Sequence, residues 1–186
     1  MKKLVLSLCL VLAASSASNA AIILFDLIGT GGSGLRTTNE NPVATGTATG
    51  GEILGGITFD DVSNVLTMRA GWGTGNGFVN LTGSATAGHL HIAPAGTPLT
   101  GNGPNPYSLD ALPSWNPSFS GGGVNGNVTI LAADVPALLA GRFYMNVHTA
   151  ANSGGELRGN LVVVPEPSAL LFGATTLGLL ALRRRR

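Results

Sequence analysis

"LLAGRFYMNVHTAANSGGELRGNL", residues 138–161, decides how the rest of the chain is read. Arg142 to Thr149 and Glu156 to Val163 both have strand composition. The polar connection AANSGG supplies glycines for positive φ, so the segment is expected to be an antiparallel hairpin. Successive side chains alternate across a strand: Phe143, Met145 and Val147 share one face, and Tyr144, Asn146 and His148 share the other. The apolar set is expected to fill the core, with the polar set turned away from it. Glu156 and Arg158 share a face of the second strand. They are expected to form a surface pair worth under about 1 kcal/mol.

The same alternation governs the chain upstream. In "GHLHIAPAG", residues 88–96, Leu90 and Ile92 point inward and His89 and His91 outward. If the two strands are neighbours, His148 joins them in one patch. Ile22 to Leu27, Val65 to Trp72 and Val124 to Leu131 are apolar or alternating runs that read as strands, and residues 41–60 read as a bent strand pair with glycine bulges. Phe78 to Leu81 reads as one more short strand. Residues 94–120 are so dense in Gly, Pro and Asn that they are expected to form a long loop with at most one short strand. One helix is expected, within Ala132 to Gly141: Asp134 as cap, Pro136 in the first turn and Gly141 at the end. The expected fold class is therefore all-β, with a single short helix.

Both ends read as targeting segments. Residues 1–20 have Lys2 and Lys3, an apolar stretch from Leu4 to Ala14, and small residues at Ser18 and Ala20, the pattern of a signal peptide cut after Ala20 by signal peptidase. Cys9, the chain's one cysteine, leaves with it, so the exported domain at 21–163 must be held by its core without a disulfide. Residues 164–186 contain Pro165-Glu166-Pro167, an apolar run over 169–182 and then Arg183, Arg184, Arg185 and Arg186. Fourteen residues rise only about 21 Å as a helix, against the roughly 30 Å of a bilayer's hydrocarbon core, so the run is expected to anchor the chain only transiently in the inner membrane. Without the two ends, four arginines face eight acidic residues and the net charge is near −4, so no basic patch for nucleic acid is expected.

The histidines are the densest chemistry in the chain. They are either rim side chains that hydrogen-bond turns or a three-imidazole site for one copper or zinc ion: His89 and His91 as same-face neighbours, with His148 arriving from the next strand. No nucleophile elbow, phosphate loop or HExxH motif is present, so the chain is expected not to be an enzyme, and no catalytic residue is assigned. Trp72, Trp115, Tyr107 and Phe119 either pack the core and loops or line a sugar-binding surface.

Three stretches, "ENPVATGTATG" (40–50), "AGHLHIAPAG" (87–96) and the opening block at 138–161, resemble the CHRD domain, a module named after chordin and common in bacterial exported proteins. The resemblance implies an immunoglobulin-like β-sandwich or barrel, with no settled activity. The C-terminal segment is similar to the PEP-CTERM sorting signal, which implies recognition by an exosortase, cleavage near Pro165-Glu166-Pro167, and release to the cell envelope or extracellular matrix among polysaccharide or matrix proteins. The domain is also distantly similar to copper/zinc superoxide dismutases. There His89, His91 and His148 look like copper ligands, and Arg158 resembles the arginine that guides an anionic substrate. A fourth, bridging histidine, a zinc loop and a cysteine pair are missing from this sequence. The expectation is thus a structural or binding module of the envelope without a cofactor; the alternative is a mononuclear copper or zinc protein.

Overall fold

The computed structural model describes residues 21–165; the expected signal peptide at 1–20 and most of the sorting segment, 166–186, lie outside the described residues. Eleven strands follow one another: β1 (Ile22–Gly29), β2 (Gly32–Ser33), β3 (Leu35–Arg36), β4 (Thr49–Glu52), β5 (Ile57–Asp60), β6 (Val65–Trp72), β7 (Ala85–Ile92), β8 (Tyr107–Ser108), β9 (Gly123–Thr129), β10 (Phe143–Thr149) and β11 (Leu157–Val163). The helix α1 (Val135–Leu139) lies between β9 and β10. Among the described residues no helix is long and apolar enough to cross a membrane, and the expected anchor at 169–182 lies outside them.

All pairings are antiparallel, as short turns between alternating strands require. β1 pairs with both β5 and β11, so the path β1-β5-β6-β4-β3-β11 returns to β1 and closes. Closure removes most of the unpaired edges that such a sheet would otherwise expose. From β11 the sheet runs on through β10 and β7 to β8, while β9 pairs with β6. The all-β sandwich class read from the sequence is the fold observed.

The inward faces carry the expected apolar set. Phe143, Met145, Val147 and Leu90 are fully buried, packed with Phe59, Leu66, Met68, Leu157 and Leu161 in one core. Each such side chain contributes roughly 1.5–3 kcal/mol by leaving water. Trp72, Trp115 and Tyr107 also belong to this interior. The Trp72 and Trp115 rings lie 5.2 Å apart, Tyr107 packs on Phe143 at 5.7 Å, and of the four candidate sugar-platform aromatics only Phe119 is exposed. Within residues 41–60 the two expected strands are β4 and β5. Their corner with β3 needs Gly34, whose φ of +81° and close approach to the Gly50 carbonyl leave no place for a side chain.

Three local expectations are overturned. Phe78 to Leu81 forms no strand; it runs as a strap whose backbone bonds to Thr49 and Phe119 singly, and Val79 stays exposed. Asp134 precedes α1 as expected, with Pro136 in the first turn, but makes no side-chain cap; its carboxylate accepts the Tyr107 hydroxyl at 2.6 Å. Burial, and then that bond, push the Tyr107 phenol up to about 12. Glu156 and Arg158 are not a surface pair, since both are fully buried and each bonds elsewhere.

Candidate metal centre

The face of β10 that points away from the core is not the solvent face that alternation alone implied. Tyr144 and Asn146 are nearly as buried as Phe143, and the neighbouring β11 contributes fully buried Arg158 and Asn160. Two segments cover this polar layer. Asn39, in the 3-10 turn Thr37–Asn39, donates through Nδ2 to Arg158 O at 3.0 Å, and Glu40 packs on Gly155. On the other flank Arg158 and Asn160 bond to residues 98–102. Glu40 lines a cavity of about 280 Å³ with Asn41, Asn102, Asn152 and Gly155. Burial pushes its carboxyl up to about 7, against the opposing pull of Arg158 and the Asn41 backbone. Its Oε1 and Asn146 Oδ1 are buried without partners.

At the end of this layer the three histidines come together. β7 and β10 pair with His89 opposite Asn146 and His91 opposite Tyr144, which sets His148 diagonal to His89, at the point where the register shifts. Diagonal neighbours on one face lie within reach of long side chains. The ring centroids of His89 stand 5.1 Å from His148 and 5.8 Å from His91, and those of His91 and His148 are 6.3 Å apart. One ring nitrogen from each lies within 4.8 Å of the other two, and all three rings are half-buried.

Outer partners settle which nitrogens are free. His91 Nδ1 lies 2.9 Å from Gly103 O, and His148 Nδ1 lies 2.9 Å from Ser153 O. A carbonyl only accepts, so both Nδ1 atoms carry a proton, which in the neutral ring leaves the lone pair on Nε2. His91 Nε2 is buried with no partner. His89 Nδ1 faces His148 Nε2 at 3.3 Å. Burial, and then the nearness of His148, holds the His89 imidazole below its ordinary pKa, with Asp110 opposing. Burial likewise lowers His91, against its bond to Gly103. Neutral rings are the form that binds metal.

The arrangement fits a single ion. Metal–nitrogen bonds of about 2.0–2.1 Å at tetrahedral angles place two donor nitrogens about 3.3–3.4 Å apart. The His89–His148 edge has that length already. Two donors of one ion are never more than about 4.2 Å apart, so the widest separation here must shrink by roughly 0.6 Å, a small side-chain rotation. An all-imidazole donor set suits copper or zinc and not calcium or magnesium.

Around the triad the structure adds residues that sequence reading passed over. The Tyr144 ring stacks on His91 at 4.8 Å and 14°, and the Arg158 guanidinium sits 3.6 Å from the same ring's centroid. Since β10 lies between β7 and β11, the two reach Tyr144 from opposite flanks. Arg158 therefore does not stand open to guide an anion, as the dismutase likeness implied: it is fully buried, and Nη1 and Nη2 are taken by Asn102 and Gly101. The signal that could have found this layer was the run of long polar side chains on one face of β10 and β11, too many for a face that meets only water. Of the sorting residues only Pro165 is described, exposed beyond β11; Glu166, Pro167 and Arg183 to Arg186 lie outside the described residues.

Comparison with protein families matches residues 32–161 to the CHRD domain, a span that takes in all three histidines, every element from β2 to β10 and most of β11. No curated protein and no solved structure matches the chain.

Proposed function

This chain belongs to the CHRD domain family, and on that premise we propose that it is an exported binding module of the cell envelope or extracellular matrix whose His89, His91 and His148 hold one copper or zinc ion. The observation that carries the reading is the convergence of three ring nitrogens, one from each histidine, within 4.8 Å, together with a His91 Nε2 that is buried and without any protein partner. A buried acceptor with no donor costs about 1–3 kcal/mol, a cost that a bound ion removes. The carbonyls of Gly103 and Ser153 complete the reading, because each orients a ring the way outer partners of metal-bound histidines do. A copper or zinc ion held by His89, His91 and His148 would supply a positive, Lewis-acidic centre. The chain's own residues orient the rings, and burial favours the neutral form of His89 and His91.

Export and sorting belong to the same proposal. The leader at 1–20 supports passage through signal peptidase, and Pro165-Glu166-Pro167 with the apolar run and arginines supports processing by an exosortase after transient inner-membrane anchoring. The acidic exported domain, near −4, then works among matrix polysaccharide or matrix proteins. Metal analysis of the purified mature protein tests the central claim. One copper or zinc per chain is expected, lost when all three histidines become alanine. A substoichiometric content, or one equal in the triple variant, overturns it. Mass spectrometry of the secreted form checks the ends: cleavage after Ala20 and near Pro165 is expected, and an intact C-terminus on the released protein overturns the sorting claim.

A further inference from the structure

The segment between β7 and β8 forms a second strap, tied to the sheet through residues 98–103. Arg158 donates from Nη1 to Asn102 Oδ1 and from Nη2 to Gly101 O, each at 3.0 Å, and Asn160 Nδ2 donates to Pro98 O at 2.5 Å. One residue further on, the Gly103 N–H donates to the Tyr144 hydroxyl at 3.2 Å, and the Gly103 carbonyl accepts the proton of His91 Nδ1. Gly103 lies so close to the Ile92 carbonyl that a Cβ there would overlap it, which leaves this residue a single seat. Gly103 O is thus the strap's hydrogen bond to the triad. The position of that oxygen decides which His91 nitrogen keeps a lone pair.

We propose that Arg158 is a positioning residue for the histidine triad: through Gly101, Asn102 and Gly103 it fixes the His91 tautomer that aims Nε2 at the ion, and so sets whether the site has three nitrogen donors or two. The inference rests on the metal reading for its functional meaning. Arg158 makes no hydrogen bond to a histidine and has no exposed surface, so a direct role toward a ligand is closed to it. What it does have is a planar fork that spans acceptors on two successive residues while lying over the Tyr144 ring, and that ring is stacked on His91. A lysine ammonium is a point donor and cannot bridge both acceptors in that plane. His148, by contrast, is anchored on Ser153 within its own hairpin and is independent of the strap.

The test uses the mature chain with Arg158→Gln, Arg158→Lys and Asn102→Ala. Ring-nitrogen NMR shifts of the metal-free protein are expected to show His91 as the pure Nδ1–H tautomer in wild type and as a mixture in all three variants, with His148 unchanged. Copper(II) titration followed by EPR is expected to fall from three coupled nitrogens to two, with affinity weakened about 10- to 100-fold. Folded variants in which His91 keeps the wild-type tautomer overturn the proposal. Because Asn102 is exposed, Asn102→Ala keeps the test alive should Arg158→Gln fail to fold. The tautomer is read without metal, so a wild type that takes up no copper sinks the metal reading while the positioning claim still receives its own answer.

Discussion

His89 Nδ1 and His148 Nε2 stand 3.3 Å apart across the β7–β10 pair, although 59 residues separate them in the chain. That spacing already suits two donors of one tetrahedral ion, so binding asks little reorganisation of this edge. Copper or zinc at a hundredfold over its Kd is therefore expected to add about 2.7 kcal/mol and raise Tm by roughly 5–10 °C. Calorimetry with and without a chelator checks this. His148→Ala should abolish the metal-dependent rise while keeping a cooperative transition; an equal rise in the variant would place the ion elsewhere.

Two-residue alternation was enough to place Phe143, Met145, Val147 and Leu90 inside and the three histidines on the other face, because burial of one strand face fixes register strongly. The same rule says only which face a side chain takes, not what covers that face. Tyr144, Asn146 and Arg158 were therefore legible as outward but not as buried, since their cover comes from residues 37–45 and 98–104, distant in sequence and without periodicity. The roles of Gly103 and Ser153 were illegible for a related reason. They act through backbone carbonyls, and a carbonyl leaves no mark on residue identity.

Glu156 offers a sharp stability test, because its fully buried carboxylate gathers the Thr82 N–H at 2.8 Å, the Thr82 hydroxyl at 2.5 Å and the Thr149 hydroxyl at 2.6 Å. Glu156→Ala strands all three and opens a void, and is expected to cost roughly 2–4 kcal/mol in denaturant unfolding. Glu156→Gln keeps one acceptor for the N–H and can donate to both hydroxyls, so about 1 kcal/mol is expected. Equal costs for the two variants would show that the carboxylate's hydrogen bonds do not hold this strap.

The turn before β11 holds two glycines with opposite expectations. Gly155 has φ +132°, and a Cβ there would run into Asn146 and Glu40, whereas a Cβ on Gly154 would meet nothing within 4 Å. Gly155→Ala is therefore expected to destabilise by about 2–4 kcal/mol, and Gly154→Ala by no more than about 0.5 kcal/mol in either direction. Urea midpoints of the two variants decide the point. A tolerated Gly155→Ala would mean that the Glu40 segment lifts away from the turn.

Glu40 gives stability an unusual pH dependence. Its carboxyl, pushed up from 4.5 to about 7 chiefly by burial, stays protonated in the folded chain where the unfolded chain has already lost the proton. The folded state thus binds more protons across that window, so stability is greatest at the acid side and falls as pH rises toward 7, by up to about 3 kcal/mol, with no further change above. The geometry agrees: Glu40 Oε1 is buried beside Gly155 with no donor to satisfy it, which favours the carboxyl with its hydrogen over the carboxylate with its charge. Glu40→Gln keeps the shape and supplies that hydrogen at every pH. Denaturant unfolding of both proteins from about pH 5 to about pH 8 isolates the effect from the histidines, which both proteins share. The variant is expected to match wild type at the acid end and to exceed it increasingly toward pH 8. A variant less stable than wild type at pH 8 would show instead that an ionised Glu40 pairs with Arg158 and that this attraction outweighs the burial of its charge.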